Sequence, residues 1–291
     1  MVDAVSYAFD DAARARVTSL LADRKLCVIT GAGISTDSGI PDYRGSGTKI
    51  RSRIDFASFV AQAHVRQRYW LRAYFGWDRF ASAQPNRGHL AIAALGQAGL
   101  LTGVVTQNVD GLHRDAGSNH VVELHGNLAR LQCLECGQKY DRQSFHLRFI
   151  ESNPWLRDVA GEDVMPLGPD GDTAIEVLRE VTVPACTVCG GNVKPDVVFF
   201  GEFVPPKIFN AANDLVKRAD ALVVAGSSLA VNSAVRLVET ARRRRKSIVV
   251  INRGETKIDH LATIRFEAGC TEVLEPLART LGAADLVEDI E

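Results

Sequence analysis

The apolar run Leu26-Cys27-Val28-Ile29 breaks almost at once into Gly31-Ala32-Gly33, with a third glycine at Gly39. The run has the length and β-branched content of a strand buried on both faces, the kind found in parallel sheets. Small residues directly after such a strand let backbone amides approach a phosphate closely. A nucleotide is therefore expected at the carboxyl end of this first strand. The spacing departs from the dehydrogenase fingerprint G-x-G-x-x-G, because Thr36 stands where its last glycine belongs. The acidic ribose-binding residue that should follow a second strand is also missing. The chain continues instead into Pro41-Asp42-Tyr43-Arg44 and a polar loop. A dinucleotide is the expected ligand, and hydride transfer is not the first choice of reaction.

The rest of the chain repeats this alternation. Ala13, Val17, Leu20 and Leu21 share one face of a helix over about Asp11 to Ala22. A basic segment, Gly45 to Arg53, follows Arg44. Phe56, Phe59, Val60, Ala63, Trp70, Leu71 and Tyr74 then recur at helical spacing as a core-facing stripe. Pro85-Asn86 opens a helix that ends at Gly99, with His89 in its first turns as a packing residue. Further strands are expected at Val104–Thr106, Val121–Leu124, Phe199-Phe200, Ala221–Ala225 and Ile248–Ile251. Strands and helices in alternation specify an α/β fold, a parallel sheet with helices on both faces. Residues from about Leu131 to Lys194 lack regular pattern and read as an insertion.

With 291 residues the chain can bury a large core. Its 35 acidic and 34 basic residues nearly cancel, so nothing general points to nucleic acid or an anionic membrane. No apolar run approaches a membrane span, and the acidic N-terminus has no apolar signal core. A cytoplasmic protein is expected. The run Arg242 to Lys246 falls at a helix end just before a strand, where cations favour the negative end of the helix dipole.

Four of the six cysteines fall in two C-x-x-C pairs, Cys133/Cys136 and Cys186/Cys189. Each pair puts two thiolates on one knuckle, and two knuckles complete a tetrahedral sulfur site suited to zinc. Glycines follow each pair closely (Gly137; Gly190-Gly191), as tight knuckles require. Four protein ligands leave no open position, so one structural zinc is expected.

Thr106-Gln107-Asn108-Val109-Asp110-Gly111-Leu112-His113 follows one strand, and Leu124-His125-Gly126 follows the next. Both lie where open α/β sheets bind ligands. The amides and carboxylate of Gln107, Asn108 and Asp110 suit a ribose and a carboxamide. Two histidines compete as general base. His125 stands between a strand end and a glycine and is favoured over His113, which begins a helix. Gly226-Ser227-Ser228-Leu229 and Asn252-Arg253-Gly254 end later strands and are again ready for phosphate or ribose.

GAGIS…GIPDYR, TQNVDGLH, LHG, the C-x-x-C pairs, GNVKPDVVFFGE, GSSL and VINRG occur in the order seen in sirtuins, the NAD-dependent protein lysine deacylases. The resemblance covers about Leu26 to Cys270. PDYRG, RQRYW and the Pro169–Asp172 segment look like the class II branch of that family. The resemblance implies one catalytic domain over the whole chain: a Rossmann-like sheet, a helical module at about 46–88 and a zinc-ribbon module at about 130–195. It implies that NAD is consumed, with nicotinamide and O-acyl-ADP-ribose released, and that an acylated-lysine protein or peptide is the substrate. It settles the choice of base on His125, acting on a ribose hydroxyl. Gly31, Ala32, Gly33, Thr36, Asp42, Tyr43 and Arg44 would line the cofactor loop. Asn108, Val109 and Asp110 would surround the nicotinamide, with Asn108 catalytic beside His125, and Gln107 would face its ribose. Gly226, Ser227, Ser228, Asn252, Arg253, Gly254 and Cys270 would hold the adenosine half. The segments Phe200–Glu202 and Ser228–Val231 would flank the peptide as an added strand. Protein mono-ADP-ribosylation is the alternative outcome of the same site. Tyr69 and Arg72, three apart on a helix, resemble the pair that sirtuins acting on acidic acyl-lysines use to hold the distal carboxylate.

Overall fold

The computed structural model describes residues 6–43, 54–159, 167–173, 180–284 and 286. Arg44 and the basic segment 45–53 lie outside the described residues. The chain runs through β1 (Ser6–Tyr7), α1 (Asp11–Leu21), β2 (Leu26–Thr30), α2 (Phe56–Ala61), α3 (Ala63–Ala81), α4 (Arg87–Gln97), β3 (Leu101–Thr106), α5 (Leu112–Asp115) and β4 (Val121–Glu123). It continues through β5 (Gly126–Cys133), β6 (Lys139–Asp141), α6 (Arg142–Ser152), β7 (Val193–Val197), α7 (Pro206–Arg218), β8 (Ala221–Ala225), α8 (Asn232–Arg243), β9 (Ser247–Ile251), β10 (Ile264–Phe266) and α9 (Cys270–Ala278).

Helix starts follow local chemistry. Asp10 accepts from the Ala13 amide at 2.8 Å to cap α1, and Asp141 accepts from the Ser144 amide at 2.7 Å to cap α6. Asn86 and His89 form a reciprocal capping box at α4. The aromatic stripe is two helices, α2 and α3, broken at Gln62.

The main sheet is parallel throughout, in the order β1-β10-β9-β8-β2-β3-β4. All five residues of β2 are buried, and their side chains alternate between two cores. Leu26 and Val28 join Val104, Val223 and Val249 beneath α1, α4 and α9. Cys27 and Ile29 join Val105, Leu222 and Val224 beneath α7 and α8. Each such aliphatic side chain contributes roughly 1.5–3 kcal/mol on full burial. From β2 the chain builds β3 and β4 to one side and later β8, β9 and β10 to the other. The carboxyl end of β2 is thus the topological switch point, where an open α/β sheet forms its crevice.

The cysteine-bracketed region is more regular than its pattern indicates. An antiparallel sheet, β6-β5-β7, carries α6 on it. Its strands are short, and α6 buries Arg142 and His146 beside Phe145 and Phe149, which blurs the apolar periodicity. Phe59, Trp70 and Leu71 share one cluster with Leu131, Phe145, Phe149 and Val193, so the aromatic helices and the ribbon pack as a unit. Phe199-Phe200 is a turn rather than a strand, touching Asp55 through a single bridge. Arg242 to Arg245 are exposed at the end of α8. Lys246 donates to the Lys217 and Ala219 carbonyls at the end of α7, which accounts for it by the helix dipole. No helix among the described residues is long and apolar enough to cross a membrane.

Candidate active site and cysteine centre

Four strand ends are stitched together at the crevice. The Gln107 amide donates to Thr30 O at 3.0 Å, Gly31 N to Ala225 O at 3.2 Å, and Gly226 N to Ile251 O at 2.9 Å. The amides of Gly31 and Gly33, expected to be available to a phosphate, are committed within the protein, since Gly33 N donates to Gly226 O at 2.8 Å. A Cβ on Gly31 would sit 2.7 Å from Ser227 Cβ, and one on Gly33 2.9 Å from Gly226 Cα. These glycines let the turns after β2 and β8 press together. The Thr36 hydroxyl caps the same turn, donating to Gly33 O at 3.1 Å.

A pocket opens beside this junction, lined by Ala32, Ser35, Ile40, Tyr43, Gln107, Asn108, Val109, Asp110 and Pro169. Ser35, Ile40 and Pro169 were not legible as site residues. Ser35 is fully buried and organises the pocket: its hydroxyl donates to Asp110 Oδ2 at 2.8 Å and accepts from Asn108 Nδ2 at 2.9 Å. Asp110 Oδ1 also accepts from the Leu112 amide at 3.1 Å. Burial pushes the Asp110 carboxyl up from its ordinary value, with the Ser35 hydrogen bond opposing. Tyr43 reaches over from the rim and donates to Asp170. That contact brings the Pro169–Asp172 segment to the mouth of the pocket.

His125 lies in the loop between β4 and β5. Its Nδ1 is 3.1 Å from Gln107 O, and its Nε2 is 3.0 Å from Ser233 Oγ. A carbonyl can only accept, so Nδ1 carries the proton, and Nε2 presents the lone pair that a general base needs. Burial holds its pKa below 6.5, with the Gln107 carbonyl opposing. Ser233 is a further residue that the spacing did not reveal. His113 is 1% exposed, packs against the His89 ring and sits 2.8 Å from Thr30 Oγ1. Its ring is enclosed by Thr30 and His89, as a structural histidine's is.

The other expected cofactor residues gather along the same edge. Gln107 Nε2 donates to Ser227 Oγ at 2.7 Å, and the Asn252 amide holds the Arg253 and Gly254 carbonyls at 2.9 Å each. Arg253 pairs with Glu272, and the buried Cys270 begins α9 with its sulfur against Gly226. Ser228 O accepts from Lys257 N at 3.1 Å. Asp42 is half-buried beside the pocket residue Tyr43. Tyr69 lies deep among Phe59, Trp70 and Phe199, and burial pushes its hydroxyl pKa up, with the charge of Arg142 opposing. Arg72 is half-buried one turn on, and its carbonyl accepts from Thr173 N and Oγ1 at 3.3 Å each.

The four paired cysteines converge, with every sulfur within 4.8 Å of the others. Cys133 and Cys189 are 3.5 Å apart, and Cys136 and Cys186 3.7 Å. Four sulfurs at Zn–S distances of about 2.3 Å in a tetrahedron are separated by about 3.8 Å, so the cluster fits zinc without rearrangement. Both knuckles close as expected, Gly137 N donating to Cys133 O and Gly190 N to Cys186 O, with both glycines in the left-handed region. The Tyr140 hydroxyl, 3.0 Å from Cys186 Sγ, supports the cluster from outside.

The profile of the Sir2 family matches residues 31–233. The chain belongs to the Sir2 family. It is 43% identical over 266 residues to NAD-dependent protein deacetylase 1 of Mycobacterium avium (strain 104), covering 91% of this chain and 94% of that one. It is 44% identical over 259 residues to the human mitochondrial NAD-dependent protein lipoamidase sirtuin-4, covering 86% and 81%. A solved Sir2 with p53 peptide and NAD+ superposes with a TM-score of 0.73 at 31% identity, covering 91% of this chain and 96% of that one. The Rossmann-like sheet with its cysteine ribbon is thus the Sir2 architecture.

Proposed function

We propose that this Sir2-family chain is an NAD-dependent protein lysine deacylase. It would transfer the acyl group of an acyl-lysine to ADP-ribose with release of nicotinamide. The observation that carries the reading is His125, a neutral imidazole fixed by the carbonyl of the pocket residue Gln107 through Nδ1, which leaves Nε2 as the basic nitrogen, 3.0 Å from the Ser233 hydroxyl. NAD supplies the electrophilic ribose carbon and the hydroxyl that receives the acyl group. His125 removes the proton from that hydroxyl, and Gln107 holds the imidazole by its carbonyl. The Ser35–Asn108–Asp110 network is a fixed polar wall suited to a carboxamide. The cysteine cluster would hold one structural zinc by Cys133, Cys136, Cys186 and Cys189, remote from proton transfer.

The test incubates the protein with NAD and acetyl-lysine peptides and identifies products by mass spectrometry. O-acyl-ADP-ribose and free nicotinamide in equal amounts are expected. Reduced-cofactor absorbance, or ADP-ribose attached to protein in place of acyl transfer, would remove the reading. We further infer that Arg72 favours acyl groups ending in a carboxylate. Because Tyr69 is buried among aromatic rings, Arg72 would supply the charged contact, worth about one to two powers of ten in preference. Arg72→Met should slow dicarboxylic acyl substrates and spare acetyl, and equal slowing of both would refute this inference.

A further inference from the structure

Lys194 is 1% exposed, on a strand edge where a lysine ordinarily reaches water. A cation that deep persists only if paired and hydrogen-bonded. Its Nζ lies 3.0 Å from Glu202 Oε2, donates to Val197 O, and stands 4.5 Å from the Phe199 ring centroid and 5.7 Å from that of Phe56. Burial pulls its pKa down, while Glu202 holds it up.

These partners belong to β7, to the turn beyond it, and to the first residue of α2. The turn is closed by Glu202 N donating to Phe199 O at 3.0 Å, and Glu202 Oε2 accepts from Phe199 N at 2.9 Å. Gly201 takes the left-handed conformation that the reversal needs. On one side Val198 N donates to His125 O at 2.8 Å; on the other Phe56 N donates to Phe200 O at 2.9 Å. The turn therefore hangs between the base and α2, and it displays Phe200 and Phe203, 38% and 91% exposed, to solvent.

We propose that Lys194 is a positioning residue for the acyl-peptide: its buried cation clamps the Phe199–Glu202 turn in the geometry against which an extended peptide docks. The inference rests on the deacylase reading, which makes this edge a peptide site. The Lys194 ammonium touches Val197, Glu202, Phe199 and Phe56, none of which lines the pocket of Ser35, Asn108 and Asp110. Its loss should therefore be felt by peptide and not by NAD. Substitution by methionine keeps the stem and removes the charge, whereas arginine restores a cation with more donors.

The experiment compares wild type, Lys194→Met, Lys194→Arg and Glu202→Gln. Zinc content and thermal melting report folding, steady-state kinetics vary peptide and NAD separately, and anisotropy follows a fluorescein-labelled acetyl-lysine peptide. Lys194→Met should raise the peptide KM and Kd about tenfold or more, the size of one lost charge-assisted contact, with kcat and the NAD KM within about twofold. Lys194→Arg should recover most of the loss, and Glu202→Gln should shift the peptide constants in the direction of Lys194→Met. Unchanged peptide constants in folded, zinc-loaded Lys194→Met overturn the proposal, as does an equal fall in every constant that arginine does not rescue. If Lys194→Met does not fold, Glu202→Gln is judged by the same criteria. A wild type that binds the peptide without turnover removes the deacylase reading alone; one that neither turns over nor binds removes both.

Discussion

Nε2 of His125 lies 3.0 Å from the hydroxyl of Ser233, on the first turn of α8. Since the Gln107 carbonyl takes the proton on Nδ1, Ser233 must donate to Nε2, the atom that has to accept a proton during turnover. A ribose hydroxyl would therefore replace Ser233 as the donor. The serine hydroxyl holds the imidazole neutral and oriented until then. Activity should be present above the pKa of His125 and fall as pH drops through it. Burial sets that pKa below 6.5, so the acid limb of kcat/KM should lie below pH 6.5. Ser233→Ala removes a donor to the neutral form and should move the limb upward. A limb above pH 6.5 in the wild type would contradict this protonation state.

His125→Ala should retain NAD binding and lose deacylation by about 10²–10⁴, the usual cost of removing a positioned base. NAD affinity should survive because the glycine turns and the Ser35 network do not depend on the imidazole. His113→Ala should instead lower thermal stability, since its ring fills buried space between Thr30 and His89. Isothermal titration with NAD and single-turnover assays separate the two effects. The assignment fails if folded His113→Ala is inactive while His125→Ala turns over.

Gly126 follows the base directly, with φ +88°, and an added Cβ would lie 1.9 Å from Asp196 O. The strand pair β5·β7 has no room for it, since Gly126 is in register with Val197 and Asn127 with Asp196. Gly126→Ala should destabilise the protein by several kcal/mol, combining a left-handed conformation with a backbone clash. Urea unfolding measures this, and a loss within about 0.5 kcal/mol would show that the strands can separate at no cost.

Much of this was legible in the sequence because it rests on strong local rules. Gly31 and Gly226 follow fully buried strands, so the crevice and its sheet order themselves around β2. The cysteine spacing alone implied the tetrahedral cluster. Ser35 escaped because a serine on a short turn carries no periodicity, and its role arises only when β3 brings Asn108 and Asp110 beside it. Ser233 and Lys194 escaped for a related reason: each acts on a partner reached through tertiary packing. The ribbon was hidden by its own composition, since Arg142 and His146 occupy core positions of α6 that a helical pattern assigns to apolar residues. Arg142 is stable there because the Trp70 and Trp77 rings flank its guanidinium at 4.9 Å each.

Replacing any of Cys133, Cys136, Cys186 or Cys189 by alanine should lower bound zinc and unfold the ribbon, since structural zinc binding is folding free energy. Because Phe145 and Val193 share a core with Trp70, the loss should spread to the aromatic helices and abolish activity indirectly. Metal analysis with near-ultraviolet circular dichroism tests this. Full activity in a metal-free preparation would refute a structural role.

His89 is completely buried, and desolvation, opposed by Asp37, lowers its pKa from 6.5 to about 4. Below pH 6.5 the unfolded chain takes up a proton that the folded protein refuses. The stability gained by keeping His89 neutral is therefore full above pH 6.5 and declines as pH falls toward about 4. The slope is roughly 1.4 kcal/mol per pH unit for one such group, and His113, held neutral by burial beside it, adds to it. Acid also weakens thiolate binding to zinc, so the wild-type slope alone does not isolate the histidine. His89→Gln does. Glutamine at this third helical position can still accept from the Asn86 amide and preserve the capping box, yet it cannot titrate. Urea unfolding at pH 7, 6 and 5 should show wild type losing about 1 kcal/mol more per pH unit than His89→Gln, the zinc contribution cancelling in the difference. Parallel pH dependences for the two proteins would mean that the folded state takes up a proton at His89 as readily as the unfolded chain does.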